Sequence, residues 1–164
     1  MLKKIARFFG VSVAYLIEGQ EIGLVPYIGD SSTPVPEKDG DPIVGTDTIP
    51  FPVKVARSGR VYAVSLEDDT MVAPKIRRGD IVICDTELPA SPGIAHYTVN
   101  EESGIAKIDF VRGGTQMVLQ PLNPFSQSQW IDFSDVGEIR IAMAVCFIGS
   151  LNESHICRME KNDG

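Results

Sequence analysis

The stretch VYAVSLEDDTMVAPKIRRGDIVICD, residues 61–85, decides the fold that we predict for this chain. Its first six residues alternate between the two faces of an extended segment, which is typical of a half-buried β-strand. The polar turn EDDT, residues 67–70, ends this pattern. A second turn at residues 78–80 leads into the run IVIC, residues 81–84, which is apolar enough for a central strand. The stretch therefore predicts two core strands joined by an irregular polar connection.

The chain from residue 53 onward has the pattern of a mainly β domain. Candidate strands lie at residues 61–66, 81–84, 94–99, 105–111, 117–120 and 139–148. Turn-forming pairs separate them, among them Pro92-Gly93 and Asn123-Pro124. Many short strands with little helix predict a coiled, partly closed β-barrel or a set of small stacked sheets.

Length, composition and charge exclude several classes of protein. With 164 residues, of which 43% are hydrophobic, the chain is long enough to bury one core. The formal net charge of −7 argues against a chain that coats nucleic acid along its whole surface. No apolar run approaches the roughly 20 residues of a membrane-spanning helix, and the N-terminus lacks the pattern of a signal peptide. We therefore expect no membrane partner.

The three cysteines do not form a recognisable site. Cys84 and Cys146 lie in apolar runs, where burial explains them, and Cys157 lies in a polar tail near His155. Two candidate ligands in a tail are weak evidence for a metal. We expect no cofactor and no metal, and a cytoplasmic, reduced environment.

Four segments are predicted along the chain. Residues 1–19 read as two short helices, residues 20–52 as a linker, residues 53–150 as the main domain and residues 151–164 as a polar tail. The linker carries six prolines and six acidic residues against one base, so it cannot order itself alone. Its one apolar stretch, residues 24–29, could pair with the domain as a strand.

Several motifs in this order resemble one family. They are DDTM at residues 68–71, Pro74, the turn at residues 78–80, the VLQPLNP stretch at residues 118–124 and the late apolar run at residues 139–148. Together they resemble the C-terminal domain of LexA, UmuD and the phage CI-type repressors, which are serine–lysine self-cleaving peptidases. The resemblance implies a LexA-like β-barrel or small-sheet fold, and it puts Thr70 at the position of the nucleophilic serine.

The N-terminal residues 5–19 resemble the last part of a repressor-type helix-turn-helix domain. The helices that enter the major groove would lie before this segment, so we expect DNA contact only through a domain that is lost or truncated here. A generic amphipathic N-terminal helix is the alternative interpretation.

The resemblance also implies a catalytic lysine, which a buried apolar site would discharge so that it could act as a base. Lys107 follows Thr70 by 37 residues, the interval that the family implies, and we assign it to the lysine position. Strand periodicity alone puts Lys107 on the polar face with Asp109, where an exposed lysine is the expected outcome. Both interpretations stay open at the level of sequence.

The family's self-cleavage bond is usually Ala-Gly or Cys-Gly, and the resemblance implies that it falls near Ser32-Thr33. Neither dipeptide occurs in the linker. Threonine at position 70 adds a methyl group that stiffens the side chain and crowds a site shaped for serine. We therefore predict that the fold is kept while self-cleavage is lost or very slow.

These observations give three hypotheses for function. The first is the oligomerisation domain of a phage or prophage transcriptional repressor, whose implied partners are a second copy of the chain, DNA through the absent reader, and a RecA-type inducer. Five bulky residues are candidates for its interface, although core packing explains them equally well: Phe125, Trp130, Phe133, Phe147 and Ile148. The second is an active peptidase that uses Thr70 and Lys107. The third is a generic β-rich binding module.

Overall fold

The computed structural model describes Lys4, Arg7, Phe8 and residues 22–52, 60–68 and 76–149. This part of the chain contains nine strands: β1 Ile22–Asp30, β2 Asp47–Pro52, β3 Val61–Ser65, β4 Ile81–Asp85, β5 Gly93–Val99, β6 Glu102–Val111, β7 Gln116–Gln120, β8 Gln129–Asp132 and β9 Ile139–Ile148. A single 3-10 turn, Arg112–Gly114, joins β6 to β7. The prediction of a mainly β fold is confirmed. The predicted helices of residues 1–19 and the polar tail lie almost wholly outside the described residues.

The nine strands form one sheet in the order β2-β1-β3-β4-β9-β5-β6-β7-β8. All neighbouring strands are antiparallel except β1 and β3, which run parallel. The long strand β9 lies in the middle, between β4 and β5, and so joins the two halves of the sheet. Strands β2 and β8 lie at its two ends.

Three apolar clusters stabilise the sheet. The central cluster lies on one face and combines side chains of β3, β4, β6 and β9, among them Tyr62, Val82 and Ile105. A second cluster packs between β5, β6, β7 and β8, around Ile108 and Met117. A third packs β1 and β2 against β3 and β4. The sheet therefore buries side chains on both faces at its centre.

Burial on both faces corrects the prediction for the first core strand. Residues 61–64 are all buried, although their alternation predicted a half-buried strand. Tyr62 and Val64 point into the central cluster, while Val61 and Ala63 point into the third cluster. β3 lies between β1 and β4, so both of its edges are paired. The central cluster covers one of its faces and the third cluster covers the other.

Residues 22–52 are more ordered than their linker-like composition predicts. The expected strand near residues 24–29 is present as β1, and it also pairs with β2, which was not predicted. Val25 and Phe51 are buried in the third cluster. β3 thus supplies the hydrogen-bonding partner of β1, and β3 and β4 supply the apolar surface on which Val25 and Phe51 pack.

Within the described part of the chain, no helix has the length and apolar character that a membrane crossing requires.

Candidate functional site

The connection between β3 and β4 is closed tightly at its base. The Leu66 N–H donates to the Asp80 carbonyl oxygen at 2.8 Å, and the Gly79 N–H donates to the Leu66 carbonyl oxygen at 2.9 Å. The Asp80 carboxylate accepts the Arg77 N–H at 2.8 Å. The connection therefore starts and ends at one point of the sheet. Thr70, the predicted nucleophile position, belongs to this connection and lies outside the described residues.

Lys107 lies on β6 with an exposed side chain. Its cross-strand neighbours are Ile94 on β5 and Gln120 on β7. It shares a strand face with Ile105, which belongs to the same central cluster as Leu66 at the start of the β3–β4 connection. Lys107 thus lies on the same strand face as a residue of the central cluster, but its own side chain is exposed and not buried as in the family's dyad. The periodicity argument predicted this exposure.

The expected cleavage region lies directly beside the end of β3. The Ser31 N–H donates to the Ser65 carbonyl oxygen at 2.7 Å, and the Glu67 N–H donates to the Ser31 hydroxyl oxygen at 3.2 Å. Glu67 precedes Thr70 by only three residues. The polypeptide around Ser32 and Thr33 is therefore close to the start of the connection that carries the nucleophile position.

Ser32 and Thr33 form a turn stabilised by Asp30. The Asp30 carboxylate accepts hydrogen bonds from the Ser32 N–H at 2.9 Å and from the Ser32 hydroxyl. These bonds favour the charged carboxylate and lower the pKa of Asp30. The Thr33 N–H donates to the Asp30 carbonyl oxygen at 3.0 Å. Ser32 itself is exposed to solvent.

The chain after this turn is attached to β5 and β9. Val35 is 1% exposed and packs in the central cluster. Its N–H donates to the Thr98 hydroxyl oxygen at 2.8 Å, and its carbonyl oxygen accepts from Arg140 Nη1 at 2.7 Å. Thr98 and Arg140 are directly opposite each other on β5 and β9. Two neighbouring strands therefore bind both polar groups of one backbone residue.

A buried polar cluster lies beneath the turn, and sequence analysis did not identify it. The Tyr62 hydroxyl and His96 Nδ1 are 2.7 Å apart, and both side chains are fully buried. Burial lowers the pKa of His96 to about 4, while the backbone carbonyls of Ser31 and Thr33 act in the opposite direction. The sequence shows only that Tyr62 and His96 lie in two predicted strands. Their contact depends on the order of the strands in the sheet, which local patterns do not give.

Cys84 completes this cluster without adding a nucleophile. It lies opposite Tyr62 in the β3–β4 pair and is completely buried. Burial raises the pKa of the Cys84 thiol to about 12, and it also raises the pKa of Tyr62. Only the thiolate is an effective nucleophile. The cluster of Tyr62, Cys84 and His96 is therefore neutral and structural.

A small cavity of about 150 Å³ opens near the same connection. Asp68, Tyr97 and Ala106 are among its lining residues, and β7 contributes Leu119. Burial raises the pKa of Tyr97, and the negative charges of Asp68 and Glu102 add to this shift. The lining thus combines the carboxylate of Asp68 with polar and apolar side chains.

Among the described residues, no group of three or more histidine, cysteine or acidic side chains is arranged to hold a metal ion. His155 and Cys157 lie outside the described residues.

Comparison with known proteins identifies one family. The family model described as Peptidase S24-like matches residues 26–143. This range contains β2 to β8 completely, the second half of β1 and the first half of β9. The predicted resemblance is confirmed at this level, while the helix-turn-helix remnant lies before the matched region. No curated protein matches the chain significantly.

Proposed function

The chain belongs to the Peptidase S24-like family, and from this membership we propose that it is the self-associating C-terminal domain of a phage or prophage transcriptional repressor. In this proposal the domain keeps the family's fold, while self-cleavage is lost or very slow. Family membership removes the hypothesis of a generic binding module with an accidental resemblance. DNA would be bound through a helix-turn-helix domain, and a RecA-type inducer would act on the same chain.

The exposure of Lys107 is the observation that carries the decay of the site. A dyad lysine lies buried in an apolar site, because burial is what makes it a usable base, whereas the side chain of Lys107 is exposed. The methyl group of Thr70 and the absence of an Ala-Gly or Cys-Gly bond act in the same direction. Three independent departures from the family pattern therefore support a domain that keeps its fold without rapid self-cleavage.

Self-association is supported by the end of the sheet that β8 forms. Trp130 in β8 is 62% exposed, and Phe125 in the connection before it is 95% exposed. At the opposite end, β2 contains Pro50 and Pro52, which cannot donate backbone hydrogen bonds and protect a sheet edge. β8 contains no proline. No strand of the described part of the chain pairs with the outer edge of β8, and such an edge with a large exposed aromatic residue is suited to pairing with a second copy.

The other three bulky residues of the predicted interface pack inside the domain. Phe133 packs on the second cluster, Phe147 on the central cluster, and Ile148 is buried in the third. The proposed interface is therefore restricted to Phe125 and Trp130. In a repressor, such pairing would raise the effective concentration of two linked DNA readers without any new DNA contact.

Sedimentation velocity tests self-association. We expect a dimer or larger species at tens of micromolar protein, and a shift toward monomer in the double variant Phe125→Ser, Trp130→Ser. The matched control is Leu88→Ser, which replaces an exposed apolar residue in the β4–β5 connection. A wild-type protein that stays monomeric at this concentration would contradict the proposed role.

A second candidate function is an active peptidase that cuts its own chain. The position of the expected cleavage region, beside the start of the connection that carries Thr70, favours it. Incubation of the purified protein at alkaline pH would then give a specific cut near Ser32-Thr33 that Lys107→Ala abolishes. If the site has decayed, the wild-type chain stays intact, and a gain of cleavage in Thr70→Ser would assign the loss to the threonine and not to the exposure of Lys107.

A further inference from the structure

Thr98 and Arg140 have a role in holding the chain that follows the expected cleavage region. We propose that they are positioning residues, which bind the backbone of Val35 and thereby keep Ser32-Thr33 against the end of β3. The inference rests on the proposed function for the identity of the cleavage region, and it does not require that cleavage occurs. It names the two side chains that determine where Ser32-Thr33 lies in the intact protein.

The first step is the geometry at Val35. Its N–H and its carbonyl oxygen are bound by different strands, at 2.8 Å to Thr98 on β5 and at 2.7 Å to Arg140 on β9. Because Thr98 and Arg140 are cross-strand partners, both bonds arise from one position on the face of the sheet. A single backbone residue is thus held by a matched donor and acceptor.

Each of the two holding side chains has a second partner. The Thr98 and Ser103 hydroxyl oxygens are 2.8 Å apart, and Arg140 Nε is 3.0 Å from a carboxylate oxygen of Glu138. A hydroxyl that accepts the Val35 N–H still has its own proton to donate to Ser103. The hydroxyl of Ser103 restricts the rotamer of Thr98, and the carboxylate of Glu138 lies within ion-pair distance of Arg140, in the same structure in which both side chains bind Val35.

The segment is fixed at both ends, and the expected cleavage region lies between them. Ser31 extends the parallel pairing of β1 with β3, and Val35 is attached to β5 and β9. Between these points Ser32 is exposed. His96, two residues before Thr98 on the same strand face, lies beneath Ser31 and Thr33. Residues 31–35 therefore cross the sheet as a short strap with an accessible turn.

Hydrogen exchange of the full chain, followed by mass spectrometry or NMR, tests the holding role. In Thr98→Val the Val35 N–H loses its acceptor while the shape of the side chain is kept, and we expect its exchange to accelerate about 10- to 100-fold. Thr98→Ser keeps the oxygen and should restore slow exchange. Thr48→Val makes the same change at an exposed strand position in β2 and is the matched control.

Arg140 gives an independent variant at the same contact. Arg140→Gln should accelerate exchange of the Thr33 and Val35 N–H groups more than that of β4, and Arg140→Lys should have a smaller effect. If Thr98→Val or Arg140→Gln accelerates exchange equally across the strap and β4, the residues act only on global stability and the proposal is wrong. Unchanged exchange at Val35 would also overturn it.

Cleavage in a Thr70→Ser background separates this inference from the proposed function. If Thr70→Ser cuts near Ser32-Thr33, adding Thr98→Val should change the rate of that cut severalfold, and adding Thr48→Val should not. If Thr70→Ser does not cut, the assignment of the cleavage region loses support, while the exchange data still decide whether Thr98 and Arg140 hold the strap.

Discussion

Acid should destabilise this domain through His96. The side chain is fully buried between the Tyr62 hydroxyl and the backbone of the strap, and burial lowers its pKa to about 4. In the unfolded chain the same imidazole is in water, with a pKa of about 6.5. The folded protein therefore binds the proton much less readily than the unfolded chain does.

The sign and size of the effect follow from these two values. Above about pH 6.5 His96 is neutral in both states, so its contribution to stability is fully present. As the pH falls, the unfolded chain binds a proton first, and the contribution is progressively lost until the folded-state pKa of about 4 is passed. Between pH 7 and pH 5 the loss is about 2 kcal/mol.

Urea unfolding at pH 7, 6 and 5 measures this loss against the variant His96→Asn. The amide oxygen of asparagine can replace Nδ1 as the partner of Tyr62, and the amide does not titrate. Acidic residues and the only other histidine, His155, are present in both proteins, so the difference between the two curves isolates His96. The variant should be the less stable protein at pH 7, because its shorter side chain leaves a cavity.

The free energy of unfolding of His96→Asn should lie below that of the wild type at pH 7, and this difference should shrink by about 2 kcal/mol between pH 7 and pH 5. Two curves that stay parallel over this range would refute the reasoning, because they would mean that His96 titrates alike in the folded and unfolded states.

Three further predictions concern the described core. Gly45→Ala should destabilise the domain by about 1–3 kcal/mol in urea unfolding, because the new Cβ would overlap the β1 backbone, whereas Gly40→Ala has room for the methyl group. Tyr62→Phe should cost about 1–3 kcal/mol in the same assay, since it leaves a buried nitrogen of His96 unpaired, and a neutral result would contradict that pairing. Cys84 should resist a thiol reagent in the native protein and react after unfolding, because it is buried with its pKa raised to about 12. Rapid native labelling of its peptide, read by mass spectrometry, would contradict this.

Local patterns in the sequence were sufficient for most of the sheet. Strands β3 to β7 and β9 coincide with predicted strands to within a few residues, because alternation and turn formers are properties of neighbouring residues. β8 was missed because it has only four residues, and β2 because its prolines are typical of linkers. The burial of β3 on both faces could not be predicted, since it depends on which strands become its neighbours.

Local sequence patterns predicted only some features of the candidate site. Periodicity predicted the exposed face of Lys107. The cleavage region near Ser32-Thr33, which the family resemblance implies, stays a prediction. The contacts that hold the strap join residues 63 and 105 positions apart, from Val35 to Thr98 and to Arg140. No local pattern encodes such pairs. They follow from the order of the strands, which brings β5 and β9 together under a segment that precedes both.

The attachment of Val35 to β5 and β9 is weaker than the packing of the whole sheet. Releasing Val35 removes the burial of one valine and two hydrogen bonds, one of them to a charged group, for a total of roughly 3–6 kcal/mol. Global unfolding of a domain of this size costs about 5–15 kcal/mol. β1 and β2 pair with each other and pack in the third cluster, so they can stay in place when Val35 leaves. The expected cleavage region is therefore retained in the resting protein by interactions that can open without loss of the fold.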